Sequence, residues 1–550
     1  MERLRESMRA FRSALGNPAI RRLELAWAGA NLGTWAYAVG VTVFAFQEGG
    51  ARAVGLVGFG RWGAASLLAP WLSLLADRHP RRLVMISADL VRAGSLAVAA
   101  AAVWGGWPPL IVYVLTGVVA AAASAFHPAE AALRPELVHA PEELTAANVV
   151  SSTITALGTL AGPALGGLLL ATSGVGTVFA VSAGLLLWSA LLVFAIRADD
   201  RPPAGSLASE PIVSAALAGF TTILRDARLR LVTGLFTAQL LVNGMLAVFV
   251  VVIAVDLLGL GSPGVGWLNA ASGVGGILGA LVAAALVGRR RLGSDFALGL
   301  VLFGLPLVGV ALWSTTAAAV VLLALLGLGE TVADVAGMTL LQRVAPAEVL
   351  ARVFGVLETL ILLTLALGSL LAPVLIDLLG NRGALAAAGA FLPVVVLLSL
   401  RPLTALDRVL AAPERELELL RKIPIFAPLG PPELERLAAS LVRMELGAGA
   451  SVVTQGDPGD RFYVLDSGRA AVEIDAERVG ELEPGDFFGE IALLRDVPRT
   501  ATVRVLEPAT LYALDRAPFL AAVTGYAPSA EAAEQVIGAR LAAGERLARA

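Results

Sequence analysis

The sequence predicts a multi-domain protein: an all-α polytopic membrane bundle of about twelve helices in two six-helix halves, then a soluble β-rich domain with flanking helices. Three observations carry that prediction. Hydrophobic residues make up 57% of the 550 residues against 15% charged, a more apolar balance than water-soluble chains show. Nearly uncharged stretches of about twenty residues recur from Leu23 to Leu400, each long enough to cross about 30 Å of hydrocarbon. After Arg401 they stop, and short alternating runs punctuated by Gly, Pro and Asp replace them.

Taken in order, residues 1–22 read as a basic amphipathic lead-in, with none of the short apolar run and small-residue cleavage site of a signal peptide before Leu23. Residues 23–197 hold the first half, with spans near 23–46, 53–76, 83–104, 109–132, 144–171 and 175–196. Residues 198–228, opening with ADDRPPAGSLASEP, form a linker. Residues 229–401 hold the second half, with spans near 229–257, 263–287, 295–313, 317–341, 350–377 and 383–400. Helices are required here, because an open sheet edge in lipid would strand unpaired backbone groups. Residues 402–422 form a charged connector helix, and 423–550 make a soluble domain of ordinary size.

Loop charge sets the expected orientation. Arginines gather in alternate loops: Arg78, Arg81 and Arg82; Arg134; Arg197, Arg225, Arg228 and Arg230; Arg289 to Arg291; Arg343 and Arg352. The intervening loops are nearly bare, apart from Arg52 and Arg382 in glycine-rich turns. The positive-inside rule then puts both termini and the soluble domain in the cytoplasm, with the bundle in a cell inner membrane. Two similar halves facing one cavity are what alternating access needs, whereas a static anchor needs far fewer spans.

The segment SLLADRHPRR, from Ser73 to Arg82, resembles the loop motif of the major facilitator superfamily, with Ser73 and Pro80 standing where that motif has glycine. Asp77, Arg78, Arg81 and Arg82 carry the match. The resemblance implies that Asp77, with Arg78 and Arg81, gates transport at the cytoplasmic side, the aspartate capping a neighbouring helix start. GTLAGPALGG, from Gly158 to Gly167, resembles the glycine-proline motif of antiporters in that superfamily, although close helix packing selects the same residues. With FHPAEAALRPELV and EELTAANVVSS, these segments resemble the multidrug and siderophore exporter branch.

Charges within spans are expensive and mark function. Glu330 and Asp334, in GLGETVADVAG, lie four residues apart on one helix face, about 6 Å along the axis. Two carboxylates in a low-dielectric cavity favour uptake of a proton by one of them, which proton coupling requires; pairing with an arginine near the cytoplasmic face is the alternative. Asn31 is a further coupling or substrate candidate, with Asn243 and Glu358 beside it.

FFGEIALLRDVPRTATV, from Phe487 to Val503, describes a phosphate cradle. Gly489 opens a one-turn helix whose first N–H groups, around Ile491 and Ala492, lack acceptors and favour an anion. Arg499 returns after Pro498 with a guanidinium able to hold two phosphate oxygens, and Thr500 adds a hydroxyl. Glu490 would be repelled by a phosphate, so it is expected to accept from a ribose hydroxyl. These residues resemble the phosphate-binding cassette of cyclic nucleotide-binding domains. That resemblance implies a β-roll (double-stranded β-helix) over residues 423–550, with Gly489, Glu490, Ile491, Ala492, Arg499 and Thr500 as ligand contacts. EAAEQVIGARLAAGERLARA reads as an amphipathic lid presenting Val536, Ile537 and Leu541.

The expectation is a secondary transporter of small molecules, an exporter or antiporter coupled to protons and regulated by cyclic AMP or cyclic GMP. The connector acids Glu414, Glu416 and Glu418 are expected to meet the basic loops. A membrane receptor that transports nothing, and a carrier of the nucleotide itself, stand as alternatives. No cofactor, metal cluster or nucleophile with an oriented base is expected, and so no enzyme activity. The absence of cysteine excludes disulfides and thiolate chemistry. Nothing in the near-neutral charge of −3 points to nucleic acid.

Overall fold

The computed structural model describes residues 16–138, 141–196, 220–285, 291–345, 347–410 and 414–547. They fall into two compact units divided between Asp407 and Arg408.

The first unit is helical throughout. In chain order its helices are α1 (Pro18–Arg78), α2 (Arg81–Trp104), α3 (Pro109–Leu137), α4 (Pro141–Thr172), α5 (Val175–Phe194), α6 (Ala227–Val252, continued by a π turn Ile253–Leu257), α7 (Gly261–Ala285), α8 (Leu292–Leu312), α9 (Thr316–Val344) and α10 (Ala347–Leu410). Among the described residues nine helices are long and apolar enough to cross a membrane. Two of the ten named helices are double length: α1 breaks at Gly49 and Gly50, and α10 at Gly380, each joining two spans. Split there, the bundle has its two sets of six. The break in α1 needs a glycine, because Gly50 takes φ 63°, where a Cβ would be strained.

Caps set the helix starts. Asn17 Oδ1 accepts from the Ala19 amide at 3.0 Å, ahead of Pro18 in the first turn. Asp226 Oδ1 accepts from the Arg228 amide at 2.7 Å and opens α6. Large apolar side chains such as Leu67, Leu378 and Leu398 point outward and are more than 70% exposed. A soluble bundle would not expose so many; lipid accepts them.

Close approach of helices relies on missing side chains. Gly158, Gly162 and Gly166 seat α4 against Asn31, Trp35 and Ala36 of α1, and a Cβ at Gly166 would come within 3.0 Å of the Ala36 carbonyl. Gly167 meets Gly266 of α7 across the two halves.

Two sequence expectations change here. Arg134, read as a loop arginine, lies inside α3 and is buried. It donates to Glu24 at 3.2 Å, to Glu130, to Asn148 at 3.1 Å and to Ser151 at 2.7 Å, so it neutralises buried acids instead of marking a loop. The last helix, expected to leave the membrane near Leu400, runs on to Leu410. Asp407 caps α8 from there, Oδ1 accepting from the Gly293 amide at 2.7 Å and Oδ2 from the Ser294 hydroxyl at 2.7 Å.

In the second unit, α11 (Glu414–Lys422) and α12 (Pro431–Ser440) follow the last residues of α10. Its strands β1 (Val442–Leu446), β2 (Ser451–Val453), β3 (Arg461–Ile474), β4 (Glu477–Leu482), β5 (Phe487–Phe488) and β6 (Thr502–Asp515) surround a short helix α13 (Glu490–Arg495), and α14 (Arg516–Thr524) and α15 (Ala527–Leu547) follow. The sheet is antiparallel in the order β1-β6-β3-β4, with β2 on β6 and β5 on β3, which makes the β-roll. Alternation along β3 builds two cores. Phe462 and Val464 face the helices, where Phe462 stacks on Phe519 at 4.9 Å, while Tyr463 and Leu465 face the interior of the roll. In α11, Glu418 pairs with Lys422 at 2.9 Å and Arg415 with Asp466 of β3 at 2.5 Å.

Candidate functional site

The chain from Phe487 to Arg499 folds back on itself in the β-roll. Gly489, at φ 94°, turns β5 into α13. A Cβ there would lie 2.7 Å from Arg499 Nη1 and 2.8 Å from the Arg461 carbonyl oxygen, so both conformation and space demand glycine. Asp496 ends the helix in the left-handed region, φ 54°, and returns the chain through Pro498. The GDPGD turn then pins Arg499: its amide donates to the Asp457 carbonyl at 2.8 Å, and its carbonyl accepts from the Gly456 amide at 2.9 Å.

Arg499 is therefore placed beside Gly489, as expected, with its side chain only 3% exposed. Nη2 donates to Asp460 at 3.0 Å and to the Arg461 carbonyl at 2.8 Å, and Nη1 donates to the Gly489 carbonyl at 3.3 Å. Its guanidinium carbon stands 5.7 Å from the centre of the Tyr463 ring. Burial, with the charge of Asp460, holds the Tyr463 phenol above its ordinary range against the opposing pull of Arg499. Asp460 was not legible as a site residue. Its neighbour Gly459, against which Ala492 packs, lies in the same turn.

Glu490 is fully buried. Where a ribose hydroxyl was expected, its Oε1 instead accepts from Arg540 Nη1 of α15 at 2.7 Å. A buried carboxylate requires a counter-charge or a donor, and the lid supplies both. Its other oxygen, Oε2, has no hydrogen-bond partner among the described residues, which leaves an acceptor in reserve. Arg540 also donates to the Phe487 carbonyl at 2.7 Å and lies 4.5 Å from the Phe487 ring centre. Ile537 is fully buried beneath the lid, Val536 packs there in part, and Arg495 reaches Glu534 at 2.6 Å. Ala492 is buried, Ile491 half-buried and Thr500 exposed. By helix geometry the first amides of α13 have no intrahelical acceptor. The turn thus brings together the Arg499 guanidinium, the N-terminal amides of α13 and a buried acid with one oxygen unbonded among the described residues.

A second site lies in the bundle. A cavity of about 560 Å³, within the size of small-molecule sites, is lined from both halves. Thr34, Trp35 and Arg61 come from α1, Pro163 from α4, Asn243 from α6, Asn269 from α7, and Glu330 and Asp334 from α9. Glu330 accepts from Asn243, and Asp334 Oδ1 from Gln239 at 2.7 Å. The acid pair therefore meets the cavity, capped by amides from α6. Asn31 does not line it; its amide donates to the Ile154 carbonyl at 3.1 Å, which makes it a packing contact of α1 on α4. Arg61, absent from the sequence reading, does line it.

At one end of the bundle the halves are joined by Arg52–Asp377 at 3.0 Å and by Gln47–Ser262 at 3.1 Å. The motif arginines lie toward the other end: Arg81 donates to the Ala132 carbonyl at 2.8 Å and pairs with Glu136, while Arg82 donates to the Val193 carbonyl at 3.2 Å. The side chains of Asp77 and Arg78 lie outside the described residues.

Comparison with known proteins agrees with both halves of this picture. The family model of the Major Facilitator Superfamily matches residues 25–294 and 238–453, and that of the cyclic nucleotide-binding domain matches residues 443–526. The cAMP-dependent protein kinase regulatory subunit of Yarrowia lipolytica is 44% identical over 86 residues, 15% of this chain and 23% of that protein. The corresponding subunit of Hypocrea atroviridis is 42% identical over 84 residues and is matched over 18% of its length. The chain thus spans less than a quarter of either relative. Among solved structures, the regulatory domain of Toxoplasma gondii PKA with cAMP is 32% identical, covers 20% of this chain and 43% of that one, and superposes with a TM-score of 0.19. The sensor domain of the transcriptional regulator DNR from Pseudomonas aeruginosa is 28% identical, covers 23% of this chain and 92% of that one, and has a TM-score of 0.21. With its matched bundle enclosing a two-sided cavity and its matched cassette built around Gly489 and Arg499, the chain belongs to the major facilitator superfamily and carries a cyclic nucleotide-binding domain.

Proposed function

We propose that the protein is a secondary active transporter, an exporter of small molecules coupled to protons by antiport, and that cyclic AMP bound in the cytoplasmic domain regulates it. The observation that carries the proposal is the buried Arg499 held beside Gly489 at the start of α13, in a chain whose bundle encloses a cavity bearing Glu330 and Asp334. Arg499 has partners of its own in Asp460 and the Arg461 and Gly489 carbonyls, and a bound phosphate would share its guanidinium with them. The curated relatives matched over this domain are cAMP-dependent by name, which favours cyclic AMP over cyclic GMP.

Proton coupling rests on Glu330 and Asp334, four residues apart and open to the cavity; a carboxylate that meets solvent alternately from each side can carry a proton. Gating is assigned to Asp77, Arg78 and Arg81 at the cytoplasmic side, and the Arg52–Asp377 end is then the outer one. Regulation requires that nucleotide affinity differ between transport states, since a ligand with equal affinity for both shifts nothing. The lid helix α15 is the moving part. Its Arg540 holds the carboxylate that a ribose hydroxyl would approach, so nucleotide arrival and lid position are coupled through Glu490.

The test is solute flux in liposomes with and without cyclic AMP. A rate that changes with nucleotide in wild type but not in Arg499→Ala supports the proposal. Nucleotide binding without movement of any solute in either nucleotide state would make the protein a receptor instead.

A further inference from the structure

Arg61 is a charge lining the bundle cavity that the transport reading leaves unused. It sits roughly 16 Å along the helix from the kink at Gly50, near the middle of an apolar stretch. Arg61 is half-buried, and among the described residues the two buried arginines of this half are neutralised: Arg92 pairs with Asp89 at 3.1 Å and donates to Thr34 at 2.5 Å, and Arg134 pairs with Glu24 and Glu130. Arg61 has no hydrogen bond and no ion pair with any described residue. It is held instead against aromatic rings, its guanidinium carbon 4.8 Å from the centre of Trp62 and 5.4 Å from that of Tyr37. Ring faces stabilise the cation without consuming its N–H donors. A cation left with a full set of donors inside a membrane cavity is costly unless something brings acceptors to it.

We infer that Arg61 anchors an oxyanion of the transported solute, so that the cavity takes small amphipathic molecules with an acidic group, a carboxylate foremost. The planar guanidinium matches a carboxylate in a bidentate pair, and Trp35, Trp62 and Leu365 offer surfaces for an apolar body. Charge is divided between the halves. Arg61 stands on the α1 wall and the acid pair on the α9 wall, so an anion is drawn to the first half and any ammonium group on the same molecule to the second. This inference deepens the transport proposal and rests on it.

The probe set is naphthoate, its uncharged methyl ester and naphthylmethylammonium, titrated calorimetrically into the full-length protein in detergent. Wild type is expected to prefer naphthoate to the ester by about tenfold or more. Arg61→Gln should erase that preference while leaving ester affinity and cyclic nucleotide binding unchanged, and Arg61→Lys, a point charge without the fork, should keep only part of it. Equal binding of naphthoate and ester by wild type, binding of none of the three, or a preference that survives Arg61→Gln overturns the inference. Should Arg61→Gln fail to give monodisperse protein, an unchanged preference in Arg61→Lys overturns it too. Liposome flux separates the two readings: Arg61-dependent naphthoate binding without movement of any solute would sink transport and spare the anion site, and flux with no anion preference would do the reverse.

Discussion

Arg499 and Arg540 both bond the segment from Phe487 to Glu490, and only the first is singled out by the sequence. Arg499 stands in a dense local motif, where a glycine turn, a short helix and a proline return fix its direction. Arg540 lies 50 positions beyond Glu490 in an amphipathic helix, where one arginine among several carries no mark of its target. Arg499→Ala should weaken cyclic AMP binding by about 1.5–3 kcal/mol per lost charged hydrogen bond, read by calorimetry, with membrane insertion normal. Unchanged affinity would remove the guanidinium from the site. Arg540→Ala should leave Glu490 buried without its counter-charge, and hydrogen exchange across α15 should rise; exchange as slow as wild type would mean that the lid is held by Ile537 and its apolar neighbours alone. Buried charge misled the reading of Arg134, which counted as a loop arginine because sequence position cannot show Glu24 and Glu130 converging on it. Arg134→Ala should destabilise the bundle by about 3–5 kcal/mol, since two buried carboxylates lose their partner, and a thermal unfolding midpoint equal to wild type would contradict that.

Among the elements, most spans were readable because lipid imposes one rule on every one of them: a long apolar run whose backbone bonds are satisfied internally. Helix ends were less so. Returning charge places the start of the connector after Arg401, yet α10 runs on to Leu410 and Asp407 serves α8. A cap supplied from 114 positions away leaves no local signature. Asp407→Ala should cost about 0.5–2 kcal/mol, the usual worth of an N-cap, measured as a lower unfolding midpoint of the bundle with nucleotide binding unaffected. The glycines of α4 read as antiporter motif or plain packing, and their close approach to Asn31, Trp35 and Ala36 is compatible with both.

At the scale of the molecule, the proposed coupling joins a proton site in lipid to a nucleotide site in water. Glu330→Gln with Asp334→Asn should abolish flux driven by a pH gradient while calorimetric nucleotide binding stays as in wild type; a double variant with the wild-type pH response would remove the acids from coupling. Hydropathy and loop charge were enough to imply the bundle and its expected orientation, and one contiguous motif was enough to imply the nucleotide domain. Both depend on local chemistry: a span is apolar along its own length, and a phosphate cradle is built from neighbours in the chain. Which charges face one another was decided by tertiary structure alone. Glu330 and Asp334 share a cavity wall with Asn243, Arg61 stands on the wall of the other half, and Asn31 turns away to bind α4, because helix packing brings together residues whose separation in sequence says nothing about distance.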